Sequence, residues 1–167
     1  MSNYPLATQA IEELYHKHYN QLRGYLFRLV SNCETAEDLC QETFIKAFRN
    51  WHQHDPNANT LSWLYRIATN TAYDYLRRRR RTNLQPLHDA LGQINGDTYE
   101  QQLGENDHIN QTLQQVPSRY RIPLMLQIYA GHSISEIAER LESTPNAIKM
   151  RLMRARQHFR QAYQLEV

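Results

Sequence analysis

Apolar side chains recur along most of the chain at steps of three and four residues, the spacing that places them on one face of an α-helix. In the N-terminal half this period predicts three long helices, over residues 14–29, 35–51 and 61–81. Thr35 is followed three residues later by an acid, which predicts that the second helix begins there. Residues 52–60 are polar and turn-forming, and they predict a loop between the second and third helices.

The C-terminal half shows the same period in shorter pieces. Helices are predicted over residues 107–116 and from Ser118 onward, where Pro123 falls early enough to be tolerated near the first turn. No stretch alternates apolar and polar residues for long enough to form a β-strand. The pattern therefore predicts an all-α fold.

Two further helices, separated by a short turn, have the spacing of a helix-turn-helix. Residues 134–141 predict the first, and Thr144 with Pro145 predicts the N-cap and first position of the second. Residues 143–164 hold five basic side chains and no acid, which favours a helix that enters the major groove of DNA over a merely solvated basic surface. The face away from its apolar stripe carries Asn146, Lys149, Met150, Met153, Arg154, Gln157 and Arg160.

The third helix carries aromatic and basic side chains together and ends in five consecutive arginines, residues 77–81. Its aromatic residues are Trp63, Tyr65, Tyr73 and Tyr75. Interleaved with Arg66 and Asn70, they fit a surface that stacks unpaired bases and neutralises their backbone. The alternative is that they fill a core, which is the favoured interpretation for Trp63 and one of the tyrosines. Because four aromatics would overfill one core stripe, some should face outward.

Charge divides the chain into three blocks. Residues 1–81 carry a net charge of +3, residues 82–107 carry −5 and residues 108–167 carry +4. The acidic block contains several glycines and no sustained helical period of apolar residues, so it is interpreted as a linker. We therefore expect two small helical domains joined by a flexible linker, both facing one polyanionic partner.

Composition excludes several classes of protein. At 167 residues the chain has room for one domain or two small ones. No apolar run approaches the roughly 18 residues of a membrane helix, and the N-terminus does not look like a secretion leader. Two cysteines cannot make a disulfide framework. The protein is expected to be soluble and cytoplasmic, without stable membrane insertion.

Candidate chemistry for an enzyme is weak. Histidines at positions 16, 18, 52 and 54 could suggest zinc, but Cys33 and Cys40 do not supply the paired spacing of a structural zinc site. A phosphate loop, a nucleophile elbow and a carboxylate pair are missing from the sequence. The histidines are therefore interpreted as surface residues, and neither a cofactor nor catalytic activity is expected.

Two motifs and the helix-turn-helix together resemble a known family. Residues 36–44 read AEDLCQETF, residues 62–70 read SWLYRIATN, and the helix-turn-helix follows. In this order and spacing, over nearly the whole chain apart from the linker, they resemble a bacterial extracytoplasmic-function sigma factor. The resemblance implies a protein that binds core RNA polymerase and directs it to promoter DNA, with an anti-sigma factor as a further candidate partner.

The resemblance also implies roles for matching positions. Polymerase docking would use Asp38, Gln41, Glu42 and Phe44. Capture of a flipped minus-ten base would use the loop 52–60 and Asn70, and the backbone of the melted strand would be held by Arg66, Arg77, Arg78, Arg79 and Arg80. Reading of the minus-thirty-five element in duplex DNA would use Lys149, Met150, Arg151, Met153 and Arg154, with Asn146 on the same face. These roles divide the chain into domains at 1–81 and 108–167, joined by the linker 82–107.

The chain departs from the family pattern at three positions. Thr35 stands where relatives often have an acid. Docking remains possible, but the docking helix carries less negative charge. At the corner of the helix-turn-helix Glu142 stands where a small residue is common, and a positive φ there would cost about 1 kcal/mol. Met150 replaces a frequent polar residue, so the promoter sequence cannot be transferred from relatives.

Two other nucleic-acid-binding functions remain open. A helix-turn-helix regulator would bind duplex DNA tightly without polymerase. A small RNA-binding protein would use residues 77–81 as a basic patch. Tight binding of the purified protein alone to promoter DNA would favour the regulator.

Overall fold

The computed structural model describes residues 4–30, 32–82 and 107–165, and the regular secondary structure in these ranges is helical. The helices are α1 (Tyr4–Val30), α2 (Cys33–Arg49), α3 (Thr60–Thr82), α4 (Asp107–Gln115), α5 (Ser118–Ile128), α6 (Ile134–Arg140) and α7 (Pro145–Leu165), with a 3₁₀ turn at Trp51–Gln53. The predicted all-α fold is confirmed. The chain divides into two compact units, Met1–Leu84 and Gln85–Val167. Nearly all of the predicted linker lies outside the described residues.

In the N-terminal unit, α1, α2 and α3 pack against one another around an apolar core. The fully buried side chains that dominate it are Leu22, Tyr25, Leu26, Leu29, Leu64 and Leu76. Burying an aliphatic side chain of this size contributes about 1.5–3 kcal/mol. A buried hydrogen bond of 2.6 Å joins the Tyr25 and Thr69 hydroxyls, so α1 and α3 are tied by a polar contact as well.

The start of α2 differs from the sequence-based prediction. Asn32 is the N-cap, with extended backbone (φ −143°, ψ 124°), and its Oδ1 accepts a 2.8 Å hydrogen bond from the Thr35 amide. Thr35 is therefore the third residue of the helix, and the prediction that it begins the helix was wrong by two residues. Asparagine is among the strongest N-cap residues, and its cap satisfies a donor that the first turn would leave unpaired.

In the C-terminal unit, α7 packs against α4, α5 and α6 and forms the centre of the domain. The fully buried side chains are Met125, Leu126, Ile137, Ile148 and Leu152. α5 begins at Ser118 as predicted, but Pro123 is its sixth residue rather than part of the first turn. The proline nitrogen has no N–H to donate to the helix, and the residue is itself buried.

The helix-turn-helix is formed by α6 and α7. Ser133 and Glu136 form a reciprocal capping box at α6: the Ser133 amide donates to Glu136 Oε2 at 2.7 Å, and the Glu136 amide donates to Ser133 Oγ at 3.2 Å. Thr144 Oγ1 accepts a 3.2 Å hydrogen bond from the Ala147 amide, and Pro145 is the first residue of α7. The predicted N-cap and proline of the second helix are confirmed.

The corner between these helices is backbone-strained at one residue. Glu142 has φ of +50°, the left-handed region that side chains with a Cβ disfavour. The Ser143 amide donates to the carbonyl of Ala138 at 2.8 Å, so the chain reverses immediately after α6. The sequence-based concern about a positive φ at this position is confirmed.

Replacing Glu142 with glycine is expected to stabilise the C-terminal unit by about 0.5–1 kcal/mol, because glycine adopts a positive φ without a Cβ clash. Calorimetric unfolding of the full chain should show the gain. Glu142→Ala is the matched control, since it removes the carboxylate but keeps the Cβ. Equal stabilisation by both variants would contradict an origin in backbone strain.

Candidate functional site

The exposed face of α2 brings together two of the residues that the sequence predicts for docking. Asp38 and Gln41 are both exposed and lie three residues apart, so they are neighbours on one face of the helix. Glu42 is half-buried, and its Oε1 lies 2.8 Å from Lys46 Nζ. Lys46 Nζ also donates to the Thr71 hydroxyl of α3 at 3.1 Å. Glu42 is therefore paired, within α2, with the lysine whose hydrogen bond links α2 to α3.

Phe44, the fourth of these residues, lies inside the N-terminal unit. Only 5% of the residue is exposed, and its ring packs against Tyr15 with the centroids 5.0 Å apart. Its burial holds α2 against α1 and leaves its ring little surface to offer a partner. A contribution of Phe44 to docking would therefore be indirect.

Sequence reasoning missed Ile45. It fits the apolar period of α2, but 52% of it is exposed. It lies four residues after Gln41 and seven after Asp38, which puts all three on one face. The sequence signal that could have identified it is the adjacent apolar pair 44–45. Because neighbouring residues are about 100° apart on a helix, both rarely face the same core, and one of the two is expected to be exposed. The exposed set Asp38, Gln41 and Ile45 is called the α2 face below.

Three of the predicted nucleic-acid residues share one side of α3. Arg66, Asn70 and Arg77 are exposed, and steps of four and seven residues keep them within about 40° of one another over about 16 Å. This exposed row is called the α3 strip below. Arg78 and Arg79 are also exposed, but the helical turn directs them to other sides. Arg80 lies in α3, and its side chain lies outside the described structure.

The aromatic residues of α3 are divided between core and surface. Tyr65 and Tyr73 are 4% and 2% exposed, so two tyrosines lie in the core where the sequence favoured a core position for one, and neither of them is available to stack unpaired bases. Tyr65 instead meets the ring of Tyr25 edge-on at 4.8 Å. Tyr75 and Trp63 are half-buried.

Trp63 belongs to an aromatic cluster that connects α3 to the loop before it. The rings of Trp51 and His54 stack in parallel at 4.8 Å, and Trp63 meets both edge-on at 5.8 and 4.8 Å. Farther along the loop, Asn59 Oδ1 accepts from the Ser62 amide at 2.9 Å and caps α3. The loop is thus anchored at both ends, while residues 55–58 between them are exposed.

On α7 the structure exposes the predicted DNA-reading face. Asn146, Lys149, Met150, Met153 and Arg154 are exposed, and Arg151 is half-buried at the edge of the face. Ile148 and Leu152 on the opposite side are buried against the rest of the unit. These six side chains occupy the first three turns of the helix.

Arg154 is held by a residue that sequence reasoning did not single out. Its Nη1 donates a 3.2 Å hydrogen bond to the hydroxyl oxygen of Tyr120 on α5. This hydrogen bond is the main reason that the pKa of Tyr120 is lowered from its usual value. The Arg119 guanidinium lies over the same ring, 4.5 Å from its centroid, and the ring of His158 stacks on it at 5.3 Å.

The described residues contain no group of three or more histidines, cysteines or acids arranged so that they could hold a metal ion. Burial raises the pKa of the Cys40 thiol to about 12, which keeps it protonated at neutral pH and makes it a poor nucleophile. Within the same residues, no helix has the length and apolar character required to cross a bilayer.

Comparison with known proteins matches both units. Residues 14–82 match the model of sigma-70 region 2, and residues 107–159 match that of sigma-70 region 4. The chain is 31% identical over 152 residues to the RNA polymerase sigma factor YlaC of Bacillus subtilis, covering 88% of each chain. It is 29% identical to the ECF RNA polymerase sigma factor SigW of Bacillus subtilis, covering 80% of this chain and 78% of the relative.

A solved structure supports the fold. A chain in the structure of the sigma factor RpoE in complex with the anti-sigma factor NepR from Bartonella quintana matches with a TM-score of 0.60 at 22% identity. The match covers 95% of this chain and 99% of that one. At this identity the similarity concerns the fold alone.

Proposed function

This chain belongs to the sigma-70 family of RNA polymerase sigma factors, as an extracytoplasmic-function member, and we propose how its surfaces divide the work of initiation. A sigma factor binds core RNA polymerase and directs it to promoter DNA, and it is not itself an enzyme. The observation that carries the proposal is that each of the two units presents a separate exposed polar or basic face. The protein would act in the cytoplasm, together with the polymerase.

The proposed division follows the sequence. Residues 1–81 dock on core polymerase and act on the minus-ten element, and residues 108–167 read the minus-thirty-five element. Residues 82–107 are the proposed linker between them. Their lack of basic residues suits a segment that should not compete for DNA, because acidic side chains are repelled by phosphates.

The α2 face is the proposed docking surface for polymerase. It combines an acid, an amide and an exposed apolar side chain on one rigid helix. Apolar surface surrounded by polar groups is typical of protein interfaces. Lys46, which is paired with Glu42, supports this face through its hydrogen bond to Thr71 of α3, and the buried Phe44 supports it from the core side.

The α3 strip is the proposed surface for the melted minus-ten strand. Arg66 and Arg77 would neutralise its phosphates, and Asn70 would contact an extruded base, because its amide can both donate and accept hydrogen bonds. Residues 52–60 would close over that base. Arg78, Arg79 and Arg80 would add positive charge that holds the backbone beside the melted strand.

The exposed face of α7 is the proposed reader of the minus-thirty-five element. Lys149, Arg151 and Arg154 supply positive charge for phosphates and base edges, and the methionines supply apolar contacts for thymine methyl groups. Asn146 lies in the first turn, where a recognition helix meets base edges. Under this assignment α7 sits in the major groove.

A regulatory partner is also proposed. The solved structure with a similar fold contains an anti-sigma factor bound to its sigma factor. We propose that a protein of that kind binds this chain and withholds it from polymerase. Gel filtration of the chain with a candidate inhibitor would detect such a complex.

The overall function is tested by adding the purified chain to core RNA polymerase and measuring run-off transcription from a library of genomic fragments. We expect transcripts with defined start sites that neither component produces alone. The competing function, a helix-turn-helix regulator, makes a different prediction. In that case the chain alone would protect duplex DNA from nuclease, and adding it to core polymerase would yield no specific start sites.

A further inference from the structure

We infer that Tyr120 is a positioning residue for promoter reading, because its hydroxyl holds the guanidinium of Arg154 in the orientation that meets a base. This inference rests on the proposed function of α7 as the reader of duplex DNA. It assigns specificity to a residue outside the helix-turn-helix. Tyr120 lies on α5, 34 residues before Arg154.

The first step of the argument concerns flexibility. Arg154 is exposed on α7, and a long exposed side chain loses rotamer freedom when it binds a base. The 3.2 Å hydrogen bond from Arg154 Nη1 to the Tyr120 hydroxyl oxygen restricts that freedom before DNA arrives. A preorganised side chain binds more tightly, because less entropy remains to be lost.

The second step concerns the donors of the guanidinium. Tyr120 engages Arg154 through Nη1, on one side of the planar group. The N–H groups on Nε and Nη2 form another edge, and such an edge is what a bidentate contact to the acceptors of a guanine requires. Tyr120 can therefore hold Arg154 without occupying the edge that reads a base.

The third step concerns the rigidity of Tyr120 itself. Only 5% of the residue is exposed, and its ring lies beneath the Arg119 guanidinium and against the ring of His158. Because these contacts fix the ring, the hydroxyl is a fixed point rather than a second flexible group. The lowered pKa of Tyr120 agrees with an oxygen that accepts from a cation.

The same contacts place cationic groups around the tyrosine. Arg119 is exposed at the start of α5 and lies over the ring, and Arg154 of α7 contacts the hydroxyl. A second link between these helices, from Arg156 Nη2 to Gln127 Oε1 at 2.7 Å, lies farther along both of them. Tyr120 thus links the reading face of α7 to α5, and the Arg156–Gln127 hydrogen bond links the same two helices a second time.

The test is a double-mutant cycle in reconstituted holoenzyme. Native chain, Tyr120→Phe, Arg154→Ala and the double variant are assembled with core polymerase. Binding is measured to a duplex promoter fragment that the native holoenzyme selects from a genomic library, and to versions with each upstream base pair replaced. Tyr120→Phe removes only the hydroxyl and keeps the ring contacts, and thermal unfolding of each chain checks the fold.

We expect Tyr120→Phe to weaken binding between about twofold and tenfold, the range for one lost hydrogen bond. Discrimination should fall at the same base pair at which Arg154→Ala loses it. In the Arg154→Ala background, Tyr120→Phe should have no further effect, because the group that it positions is gone. The matched control is Tyr163→Phe, which removes a hydroxyl from another tyrosine of the same unit and should leave binding unchanged.

The outcomes separate the inference from the proposed function. If Arg154→Ala weakens binding while Tyr120→Phe has no effect, or has the same effect in both backgrounds, the positioning role is overturned and α7 remains the reader. If Arg154→Ala leaves binding and discrimination unchanged, the proposed reading role of Arg154 fails, and the role of Tyr120 fails with it.

Discussion

The double variant Asp38→Ala/Gln41→Ala is expected to bind core RNA polymerase about a hundredfold more weakly than the native chain. A hydrogen bond to a charged group contributes about 1.5–3 kcal/mol and a neutral one about 1 kcal/mol, and truncation removes both contacts from the proposed interface. Both side chains are exposed, so the free energy of unfolding should change by less than about 0.5 kcal/mol. Competition between labelled native chain and unlabelled variant for core polymerase measures the loss.

The matched control is Gln9→Ala/Glu13→Ala on α1. It removes the same two kinds of side chain from exposed positions, where Gln9 Nε2 donates to Glu13 Oε1 at 3.2 Å. We expect this control to compete as well as the native chain does. Equal competition by the Asp38/Gln41 variant would exclude the α2 face as the docking surface, whereas weakening by both variants would show that surface charge in general is responsible.

The helices were predictable because their apolar period is strong. Each long helix of the N-terminal unit buries a stripe that recurs every three or four residues, and that spacing is visible without coordinates. The starting points were less predictable. Asn32 and Thr35 are both good caps, and choosing between them depends on which residue is extended in the folded chain.

The direction of individual side chains was the least predictable feature. Phe44 and Ile45 are adjacent and apolar, yet one is 5% exposed and the other 52%. The packing of α1 against α2 decides which of them is buried, and that packing involves residues far away in the sequence. The same limit explains why the sequence favoured a core position for only one tyrosine of α3, although Tyr65 and Tyr73 both lie in the core.

Contacts between distant residues were beyond the sequence altogether. Tyr120 and Arg154 are brought together only because α5 packs along α7. The sequence predicted Arg154 as a DNA contact from its place on a basic helix face. It held no signal for the tyrosine, because a single tyrosine near the start of a helix is equally compatible with a core position.

Loss of the Asn70 amide is expected to impair opening of the promoter without affecting its initial recognition. Asn70 is exposed on the α3 strip, between Arg66 and Arg77. An amide can pair with the Watson–Crick edge of a base only after that base has left the stack. Extrusion of a base costs a few kcal/mol, so a contact that offsets part of this cost acts on the opening step.

In holoenzyme carrying Asn70→Ala, the equilibrium constant for promoter opening should therefore fall about tenfold, corresponding to about 1.4 kcal/mol. Closed-complex binding should stay within about twofold of the native value. The complementary variant, Arg154→Ala, should lower closed-complex binding by about 1–3 kcal/mol at its cognate base pair, because it acts on duplex DNA. Asn20→Ala on α1 serves as the control for removal of an exposed asparagine amide from the same unit.

Permanganate footprinting on one promoter separates these effects, because the reagent modifies unpaired thymines, while nuclease protection at low temperature reports the closed complex. Normal permanganate reactivity with Asn70→Ala would remove the base-capture role from this residue. Reduced closed-complex binding would instead make Asn70 a contact to duplex DNA. The expected combination, normal protection with weak permanganate reactivity, arises only if the amide binds the base in its extruded state. Together with reduced closed-complex binding by Arg154→Ala, that result would place strand opening on the α3 strip and duplex reading on α7.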